Sequence, residues 1–388
     1  MLYDRSETDE LGIKLTAEKM GIEIGYLPFH KVSVCFDSGG LTYRSLGKNY
    51  TEVLGETEVV LNRTQSKSRR LYATTILEAA GKRVLNPICV EEMCQSKVRT
   101  LLALIGKGVN IPRTVYVPCN AHEETNSGTI DNTETICQLI EQQLETDRLV
   151  VKPDAGTHGS GVSLSLNHED LANIVKNIEP SITNPSGVVA QELVPKWFYD
   201  LRIIVSKQRE RKAHCPENAL VRAGFKEFRT NTFLGNMVFK VRLPEATRRD
   251  AERTSEILSG SSDAWVIALD AMPYIGEDKV ADEGELLKCF NDLEEPFRLV
   301  KEVKAYPNKK TEFTAYSTAI EYAYNEYMST EAYEFIQNVI QESLDRTSDR
   351  VMFHEGNSCP EFWEQTRVVA GINVAEHLLK CALSLIDV

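Results

Sequence analysis

The chain has 388 residues, with 44 Lys and Arg against 57 Asp and Glu and a formal net charge of −13, so it lacks the positive footprint that general binding to nucleic acid or an anionic membrane needs. Its 42% hydrophobic and 26% charged content is ordinary for a globular chain, and its longest apolar runs, such as Val188 to Ala190 and Ala264 to Ala268, are far too short to span a bilayer. Nine scattered cysteines without a CxxC pair argue against a disulfide frame or zinc knuckle; with no secretory leader pattern, reduced thiols in a cytoplasmic protein are the expectation, most of them buried apolar fillers.

Residues 1–90 read as a small α/β unit. A strand ends near Asp4, helical spacing runs from Glu7 to Met20 through Leu11 and Leu15, and Val32–Phe36 and Val59–Leu61 are short β-rich runs. Such alternation predicts a doubly wound sheet. Ser96 to Lys107 reads as a helix, followed by a break at Gly108 and Pro112 and a strand at Thr114–Val117. Residues 119–135 are polar and turn-rich, as in a surface loop. The stretch 273–350 is rich in Glu, Lys and Tyr with little β character; helices over Glu321–Met328 and Glu331–Leu344 make it a helical insertion.

The most informative segment is Leu149 to Leu164. An apolar strand reaches Lys152, a loop carries Gly156, Thr157, His158, Gly159, Ser160 and Gly161, and a second β-type run follows. Glycines allow close approach of the backbone to an anion, and a lysine supplies compensating charge. The lysine precedes the glycines, so this is neither the GxxxxGK[ST] P-loop nor a dinucleotide-binding fingerprint. A plain β-hairpin with a flexible tip is the structural alternative, although it would need no lysine at the end of an apolar strand. A second strand, Val351 to Asn357, ends in oxygen donors: the i, i+2 spacing puts Glu355 and Asn357 on one face, suited to magnesium. Ala264 to Asp270 is another apolar strand ending in a carboxylate.

These segments together resemble the ATP-grasp superfamily, particularly its RimK/LysX-like branch. Lys152 with the glycine loop resembles the phosphate-covering loop, Ser96-Lys97-Val98-Arg99 the helix start carrying the first nucleotide lysine, and Gln191-Glu192-Leu193-Val194 the adenine hinge. Asp200-Leu201-Arg202 is similar to the Asp-x-Arg element, and Phe228 to Asn231 with Gly235-Asn236 to the stretch meeting the terminal phosphates. Glu361-Phe362 and the opening Leu2-Tyr3-Asp4-Arg5 lean toward LysX, a ligase that works on a carrier protein. The resemblance covers residue 55 to the C-terminus, apart from the insertion.

The resemblance implies an α/β architecture: an ATP-grasp fold of two α+β subdomains clasping ATP, preceded by a small Rossmann-like domain. The expected units are 1–90, 91–187 and 188–388, the last containing the insertion. The implied activity is an ATP-dependent carboxylate–amine ligase working through an acyl phosphate. In its site Lys97, Lys152, Gly156, Thr157, His158, Gly159, Ser160, Gly161, Gln191, Glu192, Leu193, Val194, Asp200, Arg229 and Asn231 contact the nucleotide. Asp270, Glu355 and Asn357 hold magnesium, as two ions, with manganese as a substitute. Lys152, Arg202 and Arg229 stabilise developing charge, and Arg202, Arg222 and Asn236 meet substrate. Lone strand pairs, turn residues or caps are the plain readings of Asp200, Arg202 and Asp270. His354 reads as a neighbouring histidine, not a ligand, and the charge cluster Arg209–Lys212 as a solvated hairpin turn.

The implied partners are a small-molecule carboxylate and an amine, with a carrier protein as an option for one of them; no nucleic acid and no membrane are expected, and the chain is expected to form a homo-oligomer, a dimer or tetramer. A RimK-like modifier of a protein tail or cofactor, and an inactive ATP-binding interaction protein, are the alternatives. One departure stands out, since 85 positions separate Asp270 from Glu355 where the family has a near-direct hairpin. Either the insertion leaves and returns to the sheet, or Asp270 is misassigned.

Overall fold

The computed structural model describes residues 1–5, 7–154, 156, 160–178, 187–230 and 235–386. Among these, a parallel sheet at the N-terminus has the order Leu27–Pro28, Leu2–Tyr3, Val59–Arg63, Arg83–Leu85. Helices Thr8–Met20 and Lys67–Ala79 accompany it. Helix Thr8–Met20 begins with a capping box in which the Glu7 amide donates to Glu10, and ends at Gly21, whose φ of 68° suits glycine. The run at Val32 does not join this sheet. Ser33–Asp37 pairs with Gly40–Ser45, and that with Lys48–Asn49, in a separate antiparallel meander. Tight turns join these strands, and so short a connection can only make antiparallel neighbours.

A second, antiparallel sheet has the order Ser163–Ser165, Leu149–Lys152, Val188–Glu192, Thr114–Val117. Its apolar face packs on helices Thr133–Leu144 and His168–Lys176 through Val117, Ile136, Ile140, Leu149, Val151, Leu171 and Val188. The polar stretch 119–135 is not a loop throughout: His122–Thr125 and Gly128–Asp131 pair as a hairpin whose side chains are mostly exposed, which explains its polar composition.

The third sheet is the centre of the molecule, ordered Met237–Arg242, Asn218–Ala223, Tyr199–Lys207, Trp265–Pro273, Val351–Asn357, and antiparallel throughout. Strands Tyr199–Lys207 and Trp265–Pro273 are almost wholly buried, which explains their near-continuous apolar runs. The insertion leaves after one strand of a hydrogen-bonded pair and returns as the other, so Asp270 stands opposite Glu355 despite their separation in sequence. It comprises helices Glu283–Asp292, Glu294–Lys304, Phe313–Met328 and Glu331–Arg346. Their apolar faces, including Phe290, Phe297, Tyr327, Ile336 and Ile340, are continuous with the core of the third sheet. The helix expected to open at Glu321 starts at Phe313, because Tyr316 and Ile320 extend its buried face by two turns. Helix Val374–Leu383 closes the chain by packing on the third sheet and on helix Thr8–Met20. Among the described residues no helix is long and apolar enough to cross a membrane. Of the nine cysteines, Cys94, Cys137, Cys215 and Cys381 are buried, fewer than expected, and Cys35 and Cys89 are exposed.

Candidate active site

The second and third sheets face each other across a cleft of about 1020 Å3. From the second sheet come Val150, Lys152, Gln191, Glu192, Leu193 and Val194; from the third, Asp200, Arg202, Arg222, Asp270, His354, Glu355 and Asn357. Gly156, Ser160 and Arg229 line it from loops, and Lys97 from the start of helix Lys97–Leu104.

Asp154 ties the glycine loop to that helix. Its carboxylate accepts from the Ser96 hydroxyl at 2.9 Å and the Val98 amide at 2.8 Å, and its carbonyl from the Lys97 amide at 3.1 Å. Ser96 in turn caps the helix by accepting from the Arg99 amide. Gly161 has φ 71°, where a side chain would strain the backbone, and a Cβ on Gly156 would meet Pro153 at 2.9 Å. Thr157, His158, Gly159 and Asn231 lie outside the described residues.

Lys152 is buried and donates to Gln191 Oε1 at 2.7 Å. Burial and the neighbouring Lys97 lower it to about 7, although Glu355 pulls the other way. A glutamine holds this ammonium where a carboxylate would neutralise it permanently, so the charge stays available to an anion. Lys97 Nζ lies 3.6 Å and Lys67 Nζ 3.9 Å from Glu355 Oε1. Burial acts to raise Glu355, but Lys97 and Lys67 outweigh it and hold the carboxyl below its usual range.

Around Asp270 the pairing is tighter. Arg202 donates to both its oxygens, at 2.9 and 3.0 Å, and Arg222 Nη2 lies 3.2 Å away. Burial again works against ionisation, and the two arginines reverse it, leaving Asp270 well below the carboxylate range. Arg222 also grips Asp200, through Nε at 2.7 Å and Nη2 at 2.9 Å, so it stands between two carboxylates while lining the cleft. Asp200 further accepts from Thr230, and Lys196 Nζ stands 3.7 Å from it. Arg229 pairs with Glu227, its Nε 2.7 Å from Oε2. Asn236 is not among the cleft-lining residues: buried against Gly224, its amide donates to the Arg229 carbonyl at 2.9 Å, which shapes the loop carrying Arg229.

His354 lines the same cleft and is half-buried, with both ring nitrogens buried and neither hydrogen-bonded among the described residues; desolvation and Lys152 push it down to about 4, so it is neutral near pH 7. The donors available to a cation are oxygens only: Asp270 and Glu355 side by side, with Asn357 Oδ1 accepting from the Cys359 amide. Such a set fits magnesium and not a soft metal. Among the described residues there is no group of three or more His, Cys, Asp and Glu that could hold a metal ion.

Lys67, Lys196, Thr230 and His354 were absent from the expected set. Lys196 lies four residues before Asp200 and Thr230 beside Arg229, so both had a local signal; Lys67 had none, because its neighbours come from residues 156 and 355.

No protein-family model matches the chain. It is 22% identical over 261 residues to the alpha-aminoadipate–LysW ligase LysX of Sulfurisphaera tokodaii, covering 67% of this chain and 81% of that one. Among solved structures, D-cycloserine synthetase DcsG is similar with a TM-score of 0.55 and 13% identity, covering 99% of each chain. The ATP-grasp ligase PsnB, complexed with a minimal precursor, has a TM-score of 0.51 and 12% identity over 97% of this chain and 96% of its own.

Proposed function

We propose that this chain, whose fold is that of the ATP-grasp ligases, is an ATP-dependent carboxylate–amine ligase with an amino acid among its substrates. The observation that carries this is the meeting, in one cleft, of Lys67, Lys97 and Lys152 with two carboxylates paired across adjacent strands, Asp270 and Glu355. Polyphosphate needs the first group and its cation the second.

In this reading the lysines neutralise the phosphates, and adenine lies against the backbone of Glu192 to Val194. Asp270, Glu355 and Asn357 hold magnesium, which would shield phosphate charge and orient the terminal phosphate. A substrate carboxylate oxygen attacks the γ-phosphorus, the bond to the β-phosphate oxygen breaks, and ADP leaves with an acyl phosphate formed. The amine then attacks the acyl carbon, loses a proton and expels inorganic phosphate. Arg202 is held in place by Asp270, and with Arg229 it supplies positive charge toward the transferring group. Exclusion of water from the cleft by the bound substrates would protect the acyl phosphate from hydrolysis.

The likeness to a LysW ligase favours a second reading of the acceptor, a protein-borne carboxylate, over a free one. Assembly as a homo-oligomer is part of the proposal and is measured by light scattering. The activity itself is tested by incubating the intact chain with ATP, magnesium and an amino-acid and carboxylate panel, reading ADP, phosphate and condensed products by mass spectrometry. Amide products with stoichiometric ADP are expected; ATP binding with no stimulated turnover, for free and protein-borne acceptors alike, would overturn the ligase reading.

A further inference from the structure

The insertion does more than pack on the third sheet. The end of helix Glu294–Lys304 and the turn after it bring Lys304 and Lys309 into the wall of the same cleft that holds Lys152 and Glu355. Across that end lie Arg63, Asp9 and Glu10 from the N-terminal unit, and Phe362 and Glu364 from the segment after the third sheet.

Charge is unevenly matched there. Lys304 and Lys309 share one carboxylate, Glu364, at 3.6 and 4.0 Å, too far for direct hydrogen bonds. One oxygen of Glu364 already accepts from the Tyr316 hydroxyl at 2.5 Å. Among the described residues no other carboxylate lies within ion-pair distance of either lysine, so two ammonium groups face one anion. The ammonium of Lys304 lies 5.5 Å from the Tyr324 ring centroid and that of Lys309 5.8 Å from the Tyr316 centroid, and Lys309 Nζ donates to the Lys304 carbonyl at 3.1 Å. Lysines that only fastened the insertion would pair one to one at contact distance; Lys310 does so, 2.9 Å from Glu7 outside the cleft lining.

A second donor is also unsatisfied. Arg63 is 3% exposed and lines the cleft, yet its Nε and Nη1 donate to nothing among the described residues. Its Nη2 donates to the Pro360 carbonyl at 3.1 Å and to Asp9 Oδ2 at 3.5 Å, and Glu10 Oε1 lies 3.5 Å from Nε. Asp9 is itself engaged by the amides of Phe362 and Trp363 at 3.1 and 2.8 Å. The Arg63 guanidinium sits 5.4 Å from the Phe362 ring, two residues before Glu364, which places all three cations at one end of the cleft. Buried unsatisfied donors are uncommon and call for an acceptor.

We infer that Lys304 and Lys309 of the insertion, with Arg63 opposite, bind the carboxylate of the amino-acid substrate and so select substrates that carry one. The inference rests on the ligase reading above. A carboxylate offers several acceptor sites to two ammonium groups and a guanidinium, whereas a primary amide offers one carbonyl oxygen.

The test uses the intact chain with ATP, magnesium and the free and protein-borne carboxylates of the panel above, with the twenty amino acids and their C-terminal amides as amine probes, read as phosphate release. The wild type is expected to prefer acid over amide by roughly tenfold or more in kcat/KM. In K304Q/K309Q the KM for the acid rises about tenfold and the preference for acid over amide shrinks toward unity, while the Kd for ATP stays within about twofold. K309Q alone, on the more exposed lysine, carries the test if Lys304 proves necessary for folding. Unchanged acid preference in a folded variant, or equal use of acid and amide by the wild type, overturns the subsite and leaves the ligase intact. A wild type that binds ATP but turns over no probe overturns the ligase reading itself, and the subsite falls with it.

Discussion

Lys152 sits in an environment at odds with its charge: burial and Lys97 bring its ammonium from 10.5 down to about 7 before any ligand arrives. Between those values the unfolded chain holds a proton that the folded chain has released, so stability rises with pH across the window, and the full cost is felt below it. Lys152→Met is therefore expected to stabilise the ligand-free protein near pH 7 by on the order of a few kcal/mol and to flatten that slope, while ADP formation falls about a hundredfold or more. Urea melts at about pH 7 and about pH 9, beside an ADP assay, check both halves; a variant with wild-type turnover would sink the assignment. The two paired carboxylates differ. Glu355 is partly exposed and its lysines are 3.6 and 3.9 Å away, so Glu355→Gln should cost under about 1 kcal/mol in stability yet lower turnover by roughly 100-fold. Asp270→Asn instead strips charge from between two arginines, Arg222 being 4% exposed, and is expected to destabilise the fold by roughly 3–5 kcal/mol. Equal losses of stability in the two variants, measured by urea denaturation, would contradict this difference.

The helical insertion is the element whose sequence and role in the fold diverge most. Its composition suggested an excursion that could be cut away, but Tyr327 donates to the Val238 carbonyl at 3.0 Å, and Tyr199 reaches Ser343 at 3.1 Å. Its buried faces are one core with the third sheet. Excising residues 273–350 is thus expected to yield aggregated or unfolded chain, and a soluble, cooperatively melting deletion would show the insertion to be separable. At a single position, Ile340→Ala should cost roughly 2–5 kcal/mol, because the side chain is fully buried. The hairpin at 122–131 illustrates the opposite case. Its strands are so exposed that they lack the alternation by which strands are recognised, and only their pairing reveals them.

Across the whole molecule the hydrophobic core is divided unevenly. Ile13, Leu61 and Leu85 of the N-terminal unit join the cluster built on the third sheet, whereas the second sheet and its two helices have a separate core. Asn86 reinforces the first union by bridging Val266 on both its backbone groups at 2.8 Å and the Ser358 carbonyl at 2.8 Å. We therefore expect residues 114–192 to open as a unit at lower free energy than the third sheet, with ATP and magnesium raising that value. Native-state hydrogen exchange decides it: amides of Val150 and Val151 should exchange ahead of those of Ile203 and Ile267, and equal protection would rule out the separate unit.

Some of this molecule is written locally. Charge in a largely apolar strand marks Lys152, Asp270 and Glu355 as exceptional whatever the fold, because burying an ion is costly; the strand expected to end at Asp270 in fact runs on to Pro273. Glycine spacing and helix caps are likewise short-range, and they mark the loop after Lys152 and the start of the helix at Lys97. Pairings across large sequence distances are not local: Lys67 beside Glu355, Arg222 shared by Asp200 and Asp270, and Lys304 and Lys309 facing Glu364 exist only once the sheets are assembled. Assembly also set how far each ion is dehydrated. That is why Arg222 lines the cleft as a buried cation between Asp200 and Asp270, and why two unremarkable lysines of the insertion come to line it too.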